Sequence, residues 1–217
     1  MNGLFSDKRR KGFAVTIAAA LSVIILRFSG DILLGNTPLS GTIWYTAALA
    51  LISLLPPMLF AFAADAPAER KKAPPARTAA LSAGALVLCI GLNFLLSVLF
   101  PGDAIAVSAE NRDIAFFAGG VLCLCILPSV LEELLFRGII INALSSFDDK
   151  WAAVLSAAAF AFVHSGVTAG IYAFLAGIVL GMLRIYSGRL VPVIAVHFCT
   201  NLFSFTALLC MGNTVQR

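Results

Sequence analysis

The 217-residue sequence is poor in charge: 12% of it is Asp, Glu, Lys or Arg, and it holds two histidines and two tryptophans. Soluble domains carry about 25% charged residues, so this chain lacks the surface that water demands. Its five cysteines include no Cys-x-x-Cys pair, which removes the usual ribbon and thioredoxin-like readings and leaves them as packed thiols. There is no His-Glu-x-x-His segment and no Gly-x-Ser-x-Gly elbow, so neither a zincin helix nor a hydrolase serine announces itself. No internal repeat is apparent either, and the inverted-repeat plan of many transporters gains no support.

What the chain has in abundance is apolar. Hydrophobic residues make up 60% of it, and its mean hydropathy is +0.98. A bilayer core of roughly 30 Å takes about 20 apolar residues per helix. Division at the charged and Pro/Gly-rich interruptions predicts an all-α polytopic transmembrane bundle of about seven spans, near 12–34, 41–64, 78–100, 114–137, 151–166, 168–185 and 190–211. The fifth and sixth are short and adjacent, as tilted, broken or partly re-entrant segments are.

The basic residues test that count independently. With the N-terminus cytoplasmic, Lys8, Arg9, Arg10, Lys11, Arg70, Lys71, Lys72, Arg77, Lys150, Arg184 and Arg189 fall on the inner side, and Arg112 and Arg217 on the outer. The formal charge of +4 is therefore read as topology, and no nucleic-acid partner is expected. Lys8 to Lys11 resemble the start of a secretory signal, but the apolar run continues past Arg27 without a small-residue cleavage site and is read as a retained helix. Residues 65–77 read as a basic cytoplasmic linker between an N-terminal helix pair, 1–64, and a back group, 78–217. A second polar loop, 101–113, faces outward. Gly177 and Gly181 have the spacing of a close helix contact, and Arg27 and Asp31 that of an ion pair one turn apart.

Few strongly polar side chains remain inside the apolar segments, where each costs a few kcal/mol and calls for a partner or a wet cavity. Glu132, Glu133 and Arg137 lie on the fourth span, His164 ends the fifth, and His197 and Asn201 lie on the seventh. Glu133 and Arg137 are one turn apart and suited to pair, which leaves Glu132, rotated by about 100°, to face a cavity. His197 and Asn201 share a face, and His164 follows Phe160 by one turn. Pro128, one turn before Glu132, is expected to bend its helix. Two chemistries suit such a group. A glutamate beside an imidazole can deprotonate water for attack on a carbonyl, with an imidazole and a carboxamide donating to the oxyanion. Alternatively, Glu132, His164 and His197 can ligate zinc and leave a fourth position for water. Residue spacing does not choose between them.

The ordered set Glu132-Glu133-x-x-x-Arg137, Phe160-x-x-x-His164 and His197-x-x-x-Asn201 resembles the signature of the CPBP family, which comprises type II CAAX endopeptidases and bacteriocin-processing or immunity (Abi) proteins. The likeness covers roughly residues 114–205. It implies that 78–217 is the catalytic bundle of an intramembrane endopeptidase, with a conical cavity opening toward the cytoplasm and the lipid. It also implies that Glu132 and His164 activate water, that His197 and Asn201 hold the oxyanion, and that Glu133, Arg137 and Phe160 shape the site. Family members are commonly called metalloproteases, and a metal-free glutamate mechanism has been proposed for them as well. The expected partners are membrane lipid and a membrane-associated peptide or protein, and the expected location is a bacterial cell membrane. The competing expectation is a catalytically silent immunity or partner-binding protein.

Overall fold

The computed structural model describes residues 7–40, 42–64, 70–100, 113–145, 148–164 and 166–211. Most of the outer loop, the first half of the linker, Arg112 and Arg217 lie outside these residues. The described residues form seven helices and no strand: α1 (Asp7–Gly35), α2 (Ile43–Ala64), α3 (Pro75–Leu99), α4 (Ile114–Leu144), α5 (Asp149–Phe162), α6 (Val167–Ser187) and α7 (Val191–Met211).

Six of the seven are long and apolar enough to cross a membrane. The exception is α5, where the sequence places its short fifth span. Its 14 residues reach only about 21 Å. Asp148 caps its start by accepting from the N–H groups of Lys150 and Trp151, and a turn at Val163 and His164 followed by Gly166, with φ of +91°, ends it and reverses the chain into α6. Two further boundaries differ from the sequence reading. The fourth span continues to Leu144 instead of stopping at Arg137, because that charge is matched by Glu133 and so does not terminate the apolar segment. The third begins at Pro75, inside the expected linker, since proline's missing N–H is harmless in a first helical turn.

The largest buried core joins the first two helices to the back group. Val15, Ala19 and Val23 of α1 and Ala50, Leu54 and Ala61 of α2 pack with Leu135, Phe136, Ile139 and Ile140 of α4 and Phe160 of α5. A second core unites α3, α6 and α7 through Ala85, Cys89, Ala176, Leu180, Val193 and Val196. Small residues set a close crossing: Gly177 and Gly181 of α6 lie against Ala157 and Ala153 of α5, where a Cβ on Gly177 would sit 3.0 Å from that of Ala157. Outward-facing Ile25, Phe28, Leu33, Val87, Phe94 and Val98 are exposed, the apolar belt a bilayer would cover.

One end of the bundle collects the basic segments. Gly12 of α1 abuts the Ala143 carbonyl at the end of α4. The Ala73 N–H donates to the Ser187 carbonyl at 2.9 Å, joining the linker to the end of α6. Gly188 adopts φ of +67° beneath the Lys71 carbonyl, a left-handed cap with no room for a Cβ. Arg70 donates to Asn142 at 3.2 Å, to Asp149 at 2.9 Å and to Ser145. At the other end of α1, Asp31 accepts a hydrogen bond from Tyr45 on α2 rather than pairing with Arg27 as its spacing suggested. The neighbouring helix offers a donor that local periodicity does not reveal.

Candidate active site

The middle of α4 departs from regular α geometry. Val121–Ile126 and Glu133–Ile140 are π-helical and flank a short α turn, Leu127–Glu132. The first π segment ends with the Leu127 N–H bonded to the Leu122 carbonyl just before Pro128, so the widened turn absorbs the proline, and the Ser129 hydroxyl donates to the Cys125 carbonyl. The second π segment begins at Glu133. Such single widened turns recur at functional sites, because they re-aim side chains that an α-helix would point elsewhere.

From that turn hangs a buried chain of charges. Glu133 and Arg137 are fully sealed, while Glu132 and His197 are 9% and 8% exposed. Arg137 Nη1 donates to Glu133 Oε1 at 3.0 Å, and Nη2 to the Gly177 carbonyl of α6 at 3.4 Å. The same Glu133 oxygen accepts from His197 Nδ1 of α7 at 2.7 Å. The other edge of His197, Nε2, lies 3.7 Å from Glu132 Oε2. Phe160 of α5 is the shared wall: its ring stacks under the Arg137 guanidinium at 4.3 Å, edge-on to His164 at 4.6 Å and to His197 at 5.9 Å. Phe136 closes the other side of that ring at 5.2 Å.

His164 is oriented by its own helix, with Nδ1 2.8 Å from the Phe160 carbonyl. A carbonyl only accepts, so Nδ1 carries the hydrogen and, in a neutral ring, Nε2 carries the lone pair. His164, His197, Asn201 and Phe160 line one cavity of about 160 Å³, whose remaining wall includes Thr200 of α7, Tyr172 of α6 and Cys89 of α3. Glu132 approaches this group from α4 through its contact with His197. Thr200, Tyr172 and Cys89 were invisible to sequence reasoning: each sits in an apolar run with no companion at a telling interval, and only the packing of α3, α6 and α7 brings them to the cavity.

Lining residues Ala169 and Tyr172 belong to the start of α6, whereas its end is bonded to the linker at the basic end. Ala176 and Leu180 of α6, Cys89 of α3 and His197 of α7 line it as well, so the cavity reaches the middle of the bundle. Zinc ligation requires three donors converging on one point. Among the described residues no three His, Cys, Asp or Glu side chains, Glu132, His164 and His197 included, are grouped so as to hold a metal ion.

The described helices thus bring two imidazoles and a carboxamide to one cavity, with a buried acid in contact with one of the imidazoles. Residues 114–203 match the family model of the Type II CAAX prenyl endopeptidase Rce1-like proteins, and this segment of the chain is similar to that family. It spans α4 through most of α7 and contains every residue of the polar cluster. No curated protein and no solved structure matches the chain.

Proposed function

We propose that the protein is an intramembrane endopeptidase that hydrolyses a peptide bond of a membrane-associated substrate with water activated by Glu132 and His164. The observation that carries this reading is the unbroken polar chain from Arg137 through Glu133 and His197 to Glu132, next to a cavity that also holds His164 and Asn201. A water in contact with the Glu132 carboxylate and the lone pair on His164 Nε2 donates to both, which turns its own lone pair toward a carbonyl carbon. As the C–O bond forms, the water's proton passes to Glu132. The oxyanion is met by the Asn201 amide and by His197.

His197 donates through Nδ1 to Glu133, so it can also donate through Nε2 only as an imidazolium. Collapse of the tetrahedral intermediate breaks the C–N bond, and Glu132 returns its proton to the leaving nitrogen. The family's name suggests a prenylated C-terminal peptide as the first substrate to try.

The test uses a quenched fluorescent farnesylated CAAX peptide and the purified full chain in proteoliposomes. Glu132→Gln and His164→Gln are each expected to lower kcat by about 10²–10⁴-fold, the usual worth of a general base, with the fold intact by circular dichroism. Turnover by both variants at the wild-type rate refutes the roles given to Glu132 and His164, and absence of turnover by the wild type leaves a binding protein in place of the enzyme.

A further inference from the structure

Arg184 is a second deeply buried arginine, and nothing in the active site accounts for it. It stands in the last turn of α6, 6% exposed, about 10 Å along the helix from Gly177, the α6 residue that meets Arg137. Its Nε and Nη1 are sealed from solvent and have no hydrogen-bond partner. The carbonyls at that helix end are already used, since that of Ser187 takes the Ala73 N–H and that of Arg184 itself takes the Gly188 N–H.

Its surroundings offer more cations. The Arg70 charge acts on Arg184 electrostatically, Arg189 has a sealed and unpartnered Nε, and Lys71, Lys72, Arg77 and Lys150 are exposed at the same end. Among the residues whose side chains are described, two carboxylates lie there, and both are committed. Asp149 accepts from Arg70, and Asp148 caps α5. Unpartnered buried polar groups in native proteins are generally answered by water or a bound ion, and an uncompensated guanidinium calls for an anion above all.

The depth of this end identifies the anion. Trp151 and Tyr186, 64% and 46% exposed, lie at the same end of the bundle as the basic segments. Exposed Trp and Tyr favour the level where bilayer meets water, which is the level of lipid phosphates. Basic residues just inside that level recognise anionic headgroups, and the guanidinium fork matches a phosphate better than an ammonium does.

We propose that Arg184 and Arg189, reinforced by the charge of Arg70, form a binding site for the phosphate of an anionic phospholipid headgroup at the basic end of the bundle. The site is separate from the peptidase cluster, so its failure and that of the proposed function are independent.

The experiment compares thermal unfolding of the full chain in nanodiscs of phosphatidylcholine alone with discs containing phosphatidylglycerol. Wild type should gain about 5 °C in the anionic discs, the size expected of a site filled well above its Kd. Arg184→Gln should gain little there, yet be at least as stable as wild type in phosphatidylcholine, where the arginine has no partner. Arg189→Gln should lose part of the gain, and Lys150→Gln, exposed at the same end, should keep it. Hydrogen exchange of residues 184–190 in the wild type supplies a readout without mutation and should slow in the anionic discs. Inorganic phosphate added to phosphatidylcholine discs separates the sources: an equal gain assigns the site to free phosphate and overturns the lipid assignment. An undiminished gain in Arg184→Gln, or no gain and unchanged exchange in wild type, overturns the proposal.

Discussion

Arg137 and Arg184 are both buried arginines in apolar helices, and their surroundings are opposite. Arg137, at the centre of the bundle, is answered from within: a carboxylate at 3.0 Å, a backbone carbonyl at 3.4 Å and an aromatic face at 4.3 Å. Arg184, at the basic end, finds no partner for two of its nitrogens. The difference follows from depth. At the middle of a bilayer no outside group can approach, so the protein must carry its own counter-charge. At the headgroup level the membrane supplies one. The central cluster can then be rigid and specific, whereas the basic end depends on its lipid.

The sharpest way to break this contrast is to remove the central cation. Arg137→Met leaves Glu133 sealed without its ion partner and should cost about 3–5 kcal/mol, seen as a fall in melting temperature of about 10 °C in any lipid. Replacing Glu133 by Gln in the same chain should recover part of that loss. If Arg137→Met melts like wild type, internal pairing is not what holds the centre. Next in size, Asn201→Ala should reduce kcat by about 10²–10³ with KM nearly unchanged, the pattern of a group that acts only on the developing oxyanion. A rise in KM alone would instead make Asn201 a ground-state contact.

A smaller effect is expected at the helix crossing behind Arg137. Gly177→Ala places a Cβ 3.0 Å from Ala157 and 3.3 Å from Arg137 Nη2, and should destabilise by about 1–3 kcal/mol while also lowering activity by shifting the guanidinium. Loss of stability without loss of activity would show that the crossing packs the bundle but does not aim the site. The smallest effect belongs to the basic end. The hydrogen bond from Arg70, assisted by one from Ser145, holds the Asp149 carboxyl below its usual value of 3.8. A depressed carboxyl contributes stability above its unfolded value and loses it as pH falls through the folded one. Asp149 is half exposed, so the gap between wild type and Asp149→Asn should be under about 1 kcal/mol at neutral pH and close below about pH 4. A gap that persists in acid would mean that the pair is not the source.

Much of the architecture was legible in one dimension. The apolar runs and the placement of eleven basic residues define the helices and the end at which α1, the linker, α5 and α6 meet. The spacing of Glu133 and Arg137 announced their ion pair, because neighbours one turn apart depend only on the helix between them. The same local logic misled where another helix intervened: Asp31 turned to Tyr45, and the fourth span ran on past a charge that was already neutralised.

Composition and helical periodicity thus determined the membrane class, the number of helices and the polar residues that merit suspicion, since burial in lipid filters side chains by type before any packing occurs. Only the tertiary structure decided that His197 hangs from Glu133, that Cys89 and Tyr172 wall the cavity, and that Arg184 lacks a partner. Those facts depend on how separate helices cross and rotate. Such crossings are set by the summed fit of many small residues such as Gly177 and Ala157, which no single interval in the chain encodes.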